Sequence, residues 1–138
     1  MALYQKTLEI NTSPKTFLDI TKNVQALVLE SGLDNGVCNL FIKHTSASLV
    51  IQENYDPSVR KDFETIFSKL APEDFPYVHN MEGKDDMPAH VRSALTSTSE
   101  TIPVVNGKLS LGTWQGIYVW EHRDQPHDRV IMVSMVGE

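Results

Sequence analysis

Three histidines are set among residues that could do chemistry. His44 ends an apparent strand and precedes the hydroxyl cluster Thr45-Ser46-Ala47-Ser48. His79 lies in the polar stretch Tyr77-Val78-His79-Asn80, and His90 closes Asp85-Asp86-Met87-Pro88-Ala89-His90. Neutral imidazole is a good ligand for zinc and neighbouring transition metals. Three histidines with one open position form a recognised catalytic metal arrangement. The spacing here is long and irregular, so the competing reading is three unrelated polar side chains. Glu53, Asp85, Asp86 and Glu121 could act as metal ligands, as partners that orient the imidazoles, or as acid/base groups. Each also reads as a solvated charge, and Asp86 as the cap of the helix it begins.

The segment Gly112–Arg123 is the most unusual stretch of the chain. As a strand it carries Gln115, Ile117, Val119, Glu121 and Arg123 on one face, and Trp114, Gly116, Tyr118, Trp120 and His122 on the other. An aromatic sheet face is usually core or subunit interface. Gln115 and Glu121 could border a polar pocket, while His122 and His127 read as surface residues beside Arg123 and Asp124. Cys38, among Val37, Leu40 and Ile42, reads as a small buried hydrophobe rather than a nucleophile.

The elements that must position these groups follow from periodicity. Residues 3–10 alternate as a strand, and Asn11-Thr12-Ser13-Pro14 marks a turn. Residues 20–30 read as a helix, with Asp19 or Thr21 near its start and Gly32 at its end. Strands are expected over 36–44 and 48–52. A second helix runs from Asp56-Pro57-Ser58 to Leu70, with Val59, Phe63, Ile66, Phe67 and Leu70 as its apolar stripe. Residues 72–86 form a long polar loop, a kind of segment that is often functional. A third helix starts near Asp86-Met87-Pro88 and runs to about Ser97. Strands follow over 101–106, 108–111, 114–123 and 129–136, with Asn106-Gly107 as a hairpin turn. This pattern predicts a strand-dominated α+β domain on an antiparallel sheet or sandwich.

The 138 residues suit a single domain spanning 1–138. A hydrophobic fraction of 41% and a charged fraction of 22% are ordinary for a globular chain. A net charge of −6 disfavours broad nucleic-acid binding, which relies on cationic neutralisation of phosphates. No apolar run reaches membrane-spanning length, and the opening residues lack a signal-peptide pattern, so a cytoplasmic location with no membrane partner is expected. The single cysteine rules out an internal disulfide. Dinucleotide, phosphate-loop, His-Glu-x-x-His and Gly-x-Ser-x-Gly signatures are absent.

Several motifs fall together in one order: His44-Thr45-Ser46-Ala47-Ser48-Leu49, Glu53-Asn54, Tyr77-x-His79-x-x-Glu82-Gly83-x-Asp85-Asp86-x-Pro88-Ala89-His90, then Gly112-Thr113-Trp114-Gln115-Gly116 and Glu121. In this the chain resembles the YjbQ-like family, also described as secondary thiamine-phosphate synthases, over about residues 4–137. The resemblance implies a jelly-roll-like β-sandwich with short flanking helices, assembled as a homotrimer. It also implies a cleft where His44, His79 and His90 gather. One departure is Trp120, where the family often carries an aliphatic residue, followed by the polar run Glu121-His122-Arg123-Asp124-Gln125-Pro126-His127.

The implied reaction joins a pyrimidine methyl diphosphate to a thiazole phosphate and releases diphosphate. A divalent cation, zinc or magnesium, and hydrogen-bond donors would stabilise the departing charge. On that reading His44, His79 and His90 hold the metal. Thr45, Ser46 and Ser48 donate to phosphate oxygens, Lys43 or Arg92 supplies positive charge, Glu53, Asp86 and Glu121 orient ligands, and Gln115 borders the substrate. Diphosphate chemistry usually uses magnesium with oxygen ligands, whereas histidines prefer softer ions, which marks the synthase reaction as a candidate side activity. The alternative is a metal-dependent hydrolase of a small phosphorylated or acyl compound, with Glu53 or Asp86 as general base. A third reading is a non-catalytic trimeric module that binds a metal or small ligand.

Overall fold

A computed structural model describes residues 1–138. Its strands are β1 (Ala2–Asn11), β2 (Phe17–Asp19), β3 (Gly36–Ile42), β4 (Ala47–Glu53), β5 (Ser99–Val105), β6 (Lys108–Leu109), β7 (Gln115–Glu121) and β8 (Asp128–Gly137). Its helices are α1 (Thr21–Ser31), α2 (Pro57–Leu70) and α3 (Asp86–Leu95). The strands form two antiparallel sheets, ordered β1-β8-β3-β5-β6 and β2-β7-β4. The expected strand-dominated α+β architecture is therefore present.

The core follows from strand alternation. Cys38, Leu40 and Ile42 of β3, Ile102 and Val104 of β5, and Ile131, Val133 and Met135 of β8 line the inner face of the larger sheet. They meet Ala47 and Leu49 of β4, Ile117 and Val119 of β7, and Val24, Leu27 and Val28 of α1. Cys38 is buried and without a disulfide, and burial pushes its thiol up to about 11, so it packs rather than reacts. Asn106 and Gly107 both take positive φ, 52° and 74°, the conformation of the type I′ hairpin joining β5 to β6.

The aromatic face of β7 is covered from within the same chain. Phe17 stacks on Trp120 at a centroid distance of 4.2 Å, and Phe67 of α2 meets the same indole edge-on at 4.8 Å. The α2 stripe is only partly used: Phe63 reaches Phe17, while Ile66 and Leu70 are exposed. Asp56 caps α2 by accepting from Ser58 N at 2.9 Å, with Pro57 in its first turn. The outer face of the larger sheet leaves Leu3, Val37, Phe41 and Val136 exposed. No helix is long and apolar enough to cross a membrane.

Some boundaries differ from expectation. The short β2 pairs with β7 through Phe17, Leu18 and Asp19 and has no signal of its own in the sequence. β3 stops at Ile42, so Lys43, His44, Thr45 and Ser46 form a connection. α3 ends at Leu95 rather than near Ser97.

Candidate metal centre

The long loop before α3 and the first turns of that helix bring His79, Asp86 and His90 together. One ligand atom of each lies within 4.8 Å of the others. Asp86 and His90 are four residues apart on α3, so they share one helix face. Asp86 Oδ2 is 2.9 Å from His79 Nε2 and 3.4 Å from His90 Nε2. Glu82 Oε2 stands 3.3 Å from His79 Nε2, at the exposed edge.

Two of the three, His90 and Asp86, are held from behind. His90 Nδ1 donates to the carbonyl of Thr45 at 3.0 Å, which leaves Nε2 as the lone-pair nitrogen facing Asp86. Asp86 is buried, and its Oδ1 accepts from Arg123 at 3.0 Å. The same guanidinium binds Asp85 Oδ2 through Nε at 2.9 Å and the Glu82 carbonyl at 2.9 Å. Asp85 also accepts from Asp124 N at 2.8 Å. Burial alone would raise its carboxyl, but Arg123 and the Asp124 amide outweigh it and hold the group ionised below its usual range. Arg123 is in turn held firmly protonated. The Asp86 side chain therefore faces this centre, and the expected capping role is not its contact.

The donor set fits a divalent ion of borderline softness. Two imidazole nitrogens and a carboxylate oxygen suit zinc and its neighbours, whereas magnesium favours six oxygen ligands. Three donor atoms converge, and two of them, His90 Nε2 and Asp86 Oδ2, belong to side chains fixed by a separate partner on the far side, as such an ion requires.

His44 lies beside this group but does not join it. Where the β3–β8 ladder ends, its Nε2 accepts the backbone N–H of Val130 at 2.8 Å, filling the place of a missing ladder bond. Arg129 Nη1 stands 3.4 Å from its Nδ1. Burial, reinforced by the Arg129 charge, holds the imidazole pKa below its ordinary value. Asp86 takes the place beside His79 and His90 that the sequence reading gave to His44. His44 and Thr45 instead line a cavity of about 290 Å³ next to His90, with Ser93 and Thr98. A second cavity of about 230 Å³, lined by Phe75, Tyr77, Asn80 and Lys84, opens beside His79.

Other expected site residues fall elsewhere. Glu53 and Gln115 pair across the far end of β4 and β7, while Ala47 pairs with Glu121 at the near end. Six residues of strand separate those ends, about 20 Å. Glu53 accepts from Asp56 N, and Gln115 accepts from Gly112 N. Arg92 is buried against Glu64 at 2.8 Å, on the opposite face of α3 from His90. Ser48 is buried and bonded to His122 Nε2 at 2.9 Å. His122 is thus an interior residue, contrary to the surface reading; His127 is half-exposed.

Glu121 is fully buried under Arg129 rather than open to a substrate. Its Oε1 accepts from Arg129 Nε at 2.8 Å and from Thr12 Oγ1 at 2.6 Å. Burial would raise its carboxyl, but Arg129, Thr12 and the Arg123 amide together lower it. Arg129 then donates to Ser46 Oγ at 3.0 Å and to the Ser46 carbonyl at 3.2 Å. That fixes the connection whose Thr45 carbonyl orients His90. No motif singles out Arg123 or Arg129. The signal for Arg129 was present: it falls in phase with Ile131, Val133 and Met135 on the buried face of β8.

A family model described as "UPF0047 protein YjbQ-like" matches residues 6–138. A UPF0047 protein of Synechocystis sp. is 53% identical over 136 residues, covering 98% of this chain and 92% of its own length. The UPF0047 protein YjbQ of Salmonella typhimurium is 42% identical over 138 residues, covering 98% and 99%. A crystal structure of a YjbQ/UPF0047-family protein from Clostridium acetobutylicum superposes with a TM-score of 0.87 at 39% identity, over 95% of this chain and 99% of that one.

Proposed function

The chain belongs to the YjbQ-like UPF0047 family, and we propose that it is a metal-dependent enzyme that cleaves a phosphate or diphosphate ester bond in a small molecule. The observation that carries this reading is Asp86 Oδ2 set between the Nε2 atoms of His79 and His90, with Oδ1 tied to Arg123. His79, Asp86 and His90 would hold the ion, and zinc or manganese suits their donor atoms better than magnesium. A bound ion supplies Lewis-acid stabilisation of the charge that develops on a departing phosphate.

The remaining work falls to this chain's own groups. The hydroxyls of Thr45, Ser93 and Thr98 line the cavity beside His90 and can donate to phosphoryl oxygens. Lys84, in the cavity beside His79, supplies a positive charge for an anionic group. Arg123 keeps Asp86 aimed, and Thr45 keeps His90 in the tautomer with a free Nε2. Glu82, exposed beside His79, is placed to take a proton at the rim.

A transferase reading is favoured by one further feature. Two cavities flank the cluster, so two reactants have room on either side of it. Thiamine-phosphate synthesis, as the family resemblance implies, is the specific form of that reading. The family resemblance also implies a homotrimer. The exposed Leu3, Val37, Phe41 and Val136 on the uncovered sheet offer it an apolar interface. Light scattering at three chain masses supports that assembly, and a monomer mass removes it.

The test uses purified chain with added zinc, manganese or magnesium. One arm offers small phosphate and diphosphate esters, and the other offers a pyrimidine methyl diphosphate with a thiazole phosphate. Metal-stimulated release of phosphate or diphosphate that is lost in His79→Ala supports the proposal, and formation of thiamine phosphate selects the transferase form. Stoichiometric metal with no stimulated turnover in either arm would instead indicate a metal-binding module.

A further inference from the structure

On the side of α3 opposite His90 lies a cavity of about 320 Å³, at the lower end of the size range of small-molecule sites. Asp85, Pro88 and Arg92 form one wall, at helical spacing. Glu64 and Ser68 of α2 form the facing wall, Glu73 and Lys15 the rim, and His122 the floor.

Two buried polar atoms here have no partner. His122 is 1% exposed, and its Nδ1 makes no hydrogen bond. Glu64 uses Oε1 on Arg92 at 2.8 Å, while its Oε2 is buried and unpaired. Buried polar atoms are otherwise almost always satisfied, so each of these calls for a partner. None of the residues involved belongs to the metal centre.

The charges select the class of partner. The lining carries Glu64, Glu73, Asp74 and Asp85 against Lys15 and Arg92. Both cations are already engaged, Arg92 by Glu64 and Lys15 by Glu73 and Asp124. An anion would meet a surplus of carboxylates, whereas a cationic donor would meet the free oxygen of Glu64. His122 is adaptable, because the Ser48 hydroxyl can donate to Nε2, leaving Nδ1 as a donor, or accept from it, leaving Nδ1 as an acceptor.

We infer that this cavity binds a small organic ammonium compound, its protonated amine donating to Glu64 Oε2 and a neighbouring polar atom pairing with His122 Nδ1. Asp85 in its wall shares Arg123 with Asp86, so the occupied cavity and the metal centre lean on one guanidinium.

The test is a titration of the intact chain, labelled with nitrogen-15 in its histidines, with ethanolamine, putrescine, glycerol and inorganic phosphate. Saturable movement of the His122 nitrogens by ethanolamine or putrescine, and by neither glycerol nor phosphate, is the expected result. Glu64→Gln removes one charge and should weaken that binding about tenfold or more. Ser68→Trp, on an exposed position of α2, should abolish it by filling the cavity while leaving the circular dichroism unchanged. Movement of His122 by phosphate, equal binding of glycerol, or no response to either amine at millimolar concentration overturns the proposal. So does movement confined to His79 and His90, which would place the amine at the metal centre instead.

Discussion

Arg123 grips Asp86 by one carboxylate oxygen and leaves the other facing two imidazoles. The grip is geometric as well as electrostatic, because the same guanidinium spans Asp85, Asp86 and the Glu82 carbonyl. Lysine in its place would keep the charge and lose the fork. Arg123→Lys should therefore retain one metal per chain but weaken it by about 10- to 100-fold, the usual effect of losing a group that orients a ligand. Competition with a chelator of known affinity checks this. Unchanged affinity would mean that Asp86 is held well enough by α3 alone.

The histidines should separate into two classes. His79→Ala and His90→Ala each remove a converging nitrogen and should abolish stoichiometric zinc. His44→Ala should retain it, because the His44 Nε2 is spent on Val130 N. The variant should instead lose about 1–2 kcal/mol of stability, the cost of leaving a partly buried backbone donor without its partner. Elemental mass spectrometry and thermal denaturation on the same samples distinguish these outcomes. Loss of zinc in His44→Ala would restore the three-histidine ligand set expected from the motifs.

That difference shows what the sequence could and could not convey. The strands were legible because alternation reports burial directly: Cys38, Leu40 and Ile42 of β3 all lie in the core. The Asp86–His90 pairing follows from helical spacing, which is local, although the motifs alone single out the histidines. His44 shares the parity of the core residues of β3, but its role is set by β8, 86 positions away along the chain. Its contact depends on where the ladder stops, which no local pattern encodes. His122 is buried against its surface-like pattern for a related reason. Polar neighbours on both sides marked it as surface, yet α2 and α3 close over it and only the folded chain shows that.

The buried pair of Glu121 and Arg129 should behave as a structural unit. Arg129→Leu would leave the Glu121 carboxylate buried without its counter-ion and should cost about 3–5 kcal/mol. The pair also sets an acid limit. Glu121 is depressed in the folded state, so its contribution is fully present above the ordinary carboxylate value of 4.5 and is lost as pH falls through the lower folded value. Urea denaturation of Glu121→Gln should accordingly show a shallower decline of stability on the acid side. A parallel decline in both proteins would place the acid sensitivity elsewhere.

His122 predicts a second pH dependence with its own window. Burial, and then the charges of Arg92 and Arg129, lower its imidazole from 6.5 to about 3. The folded state keeps it neutral while the unfolded chain takes up a proton below 6.5, so stability falls as pH drops from there. The loss levels off only near pH 3, where the folded protein also binds the proton. Between pH 6.5 and 5 the loss from this group amounts to about 2 kcal/mol. His44 is lowered as well and contributes in the same window. His122→Gln, which can still bond to Ser48, should therefore flatten the slope without erasing it. Denaturant midpoints at four or five pH values in both proteins measure the difference. An unchanged slope would mean that solvent reaches His122 and that its burial is not maintained in solution.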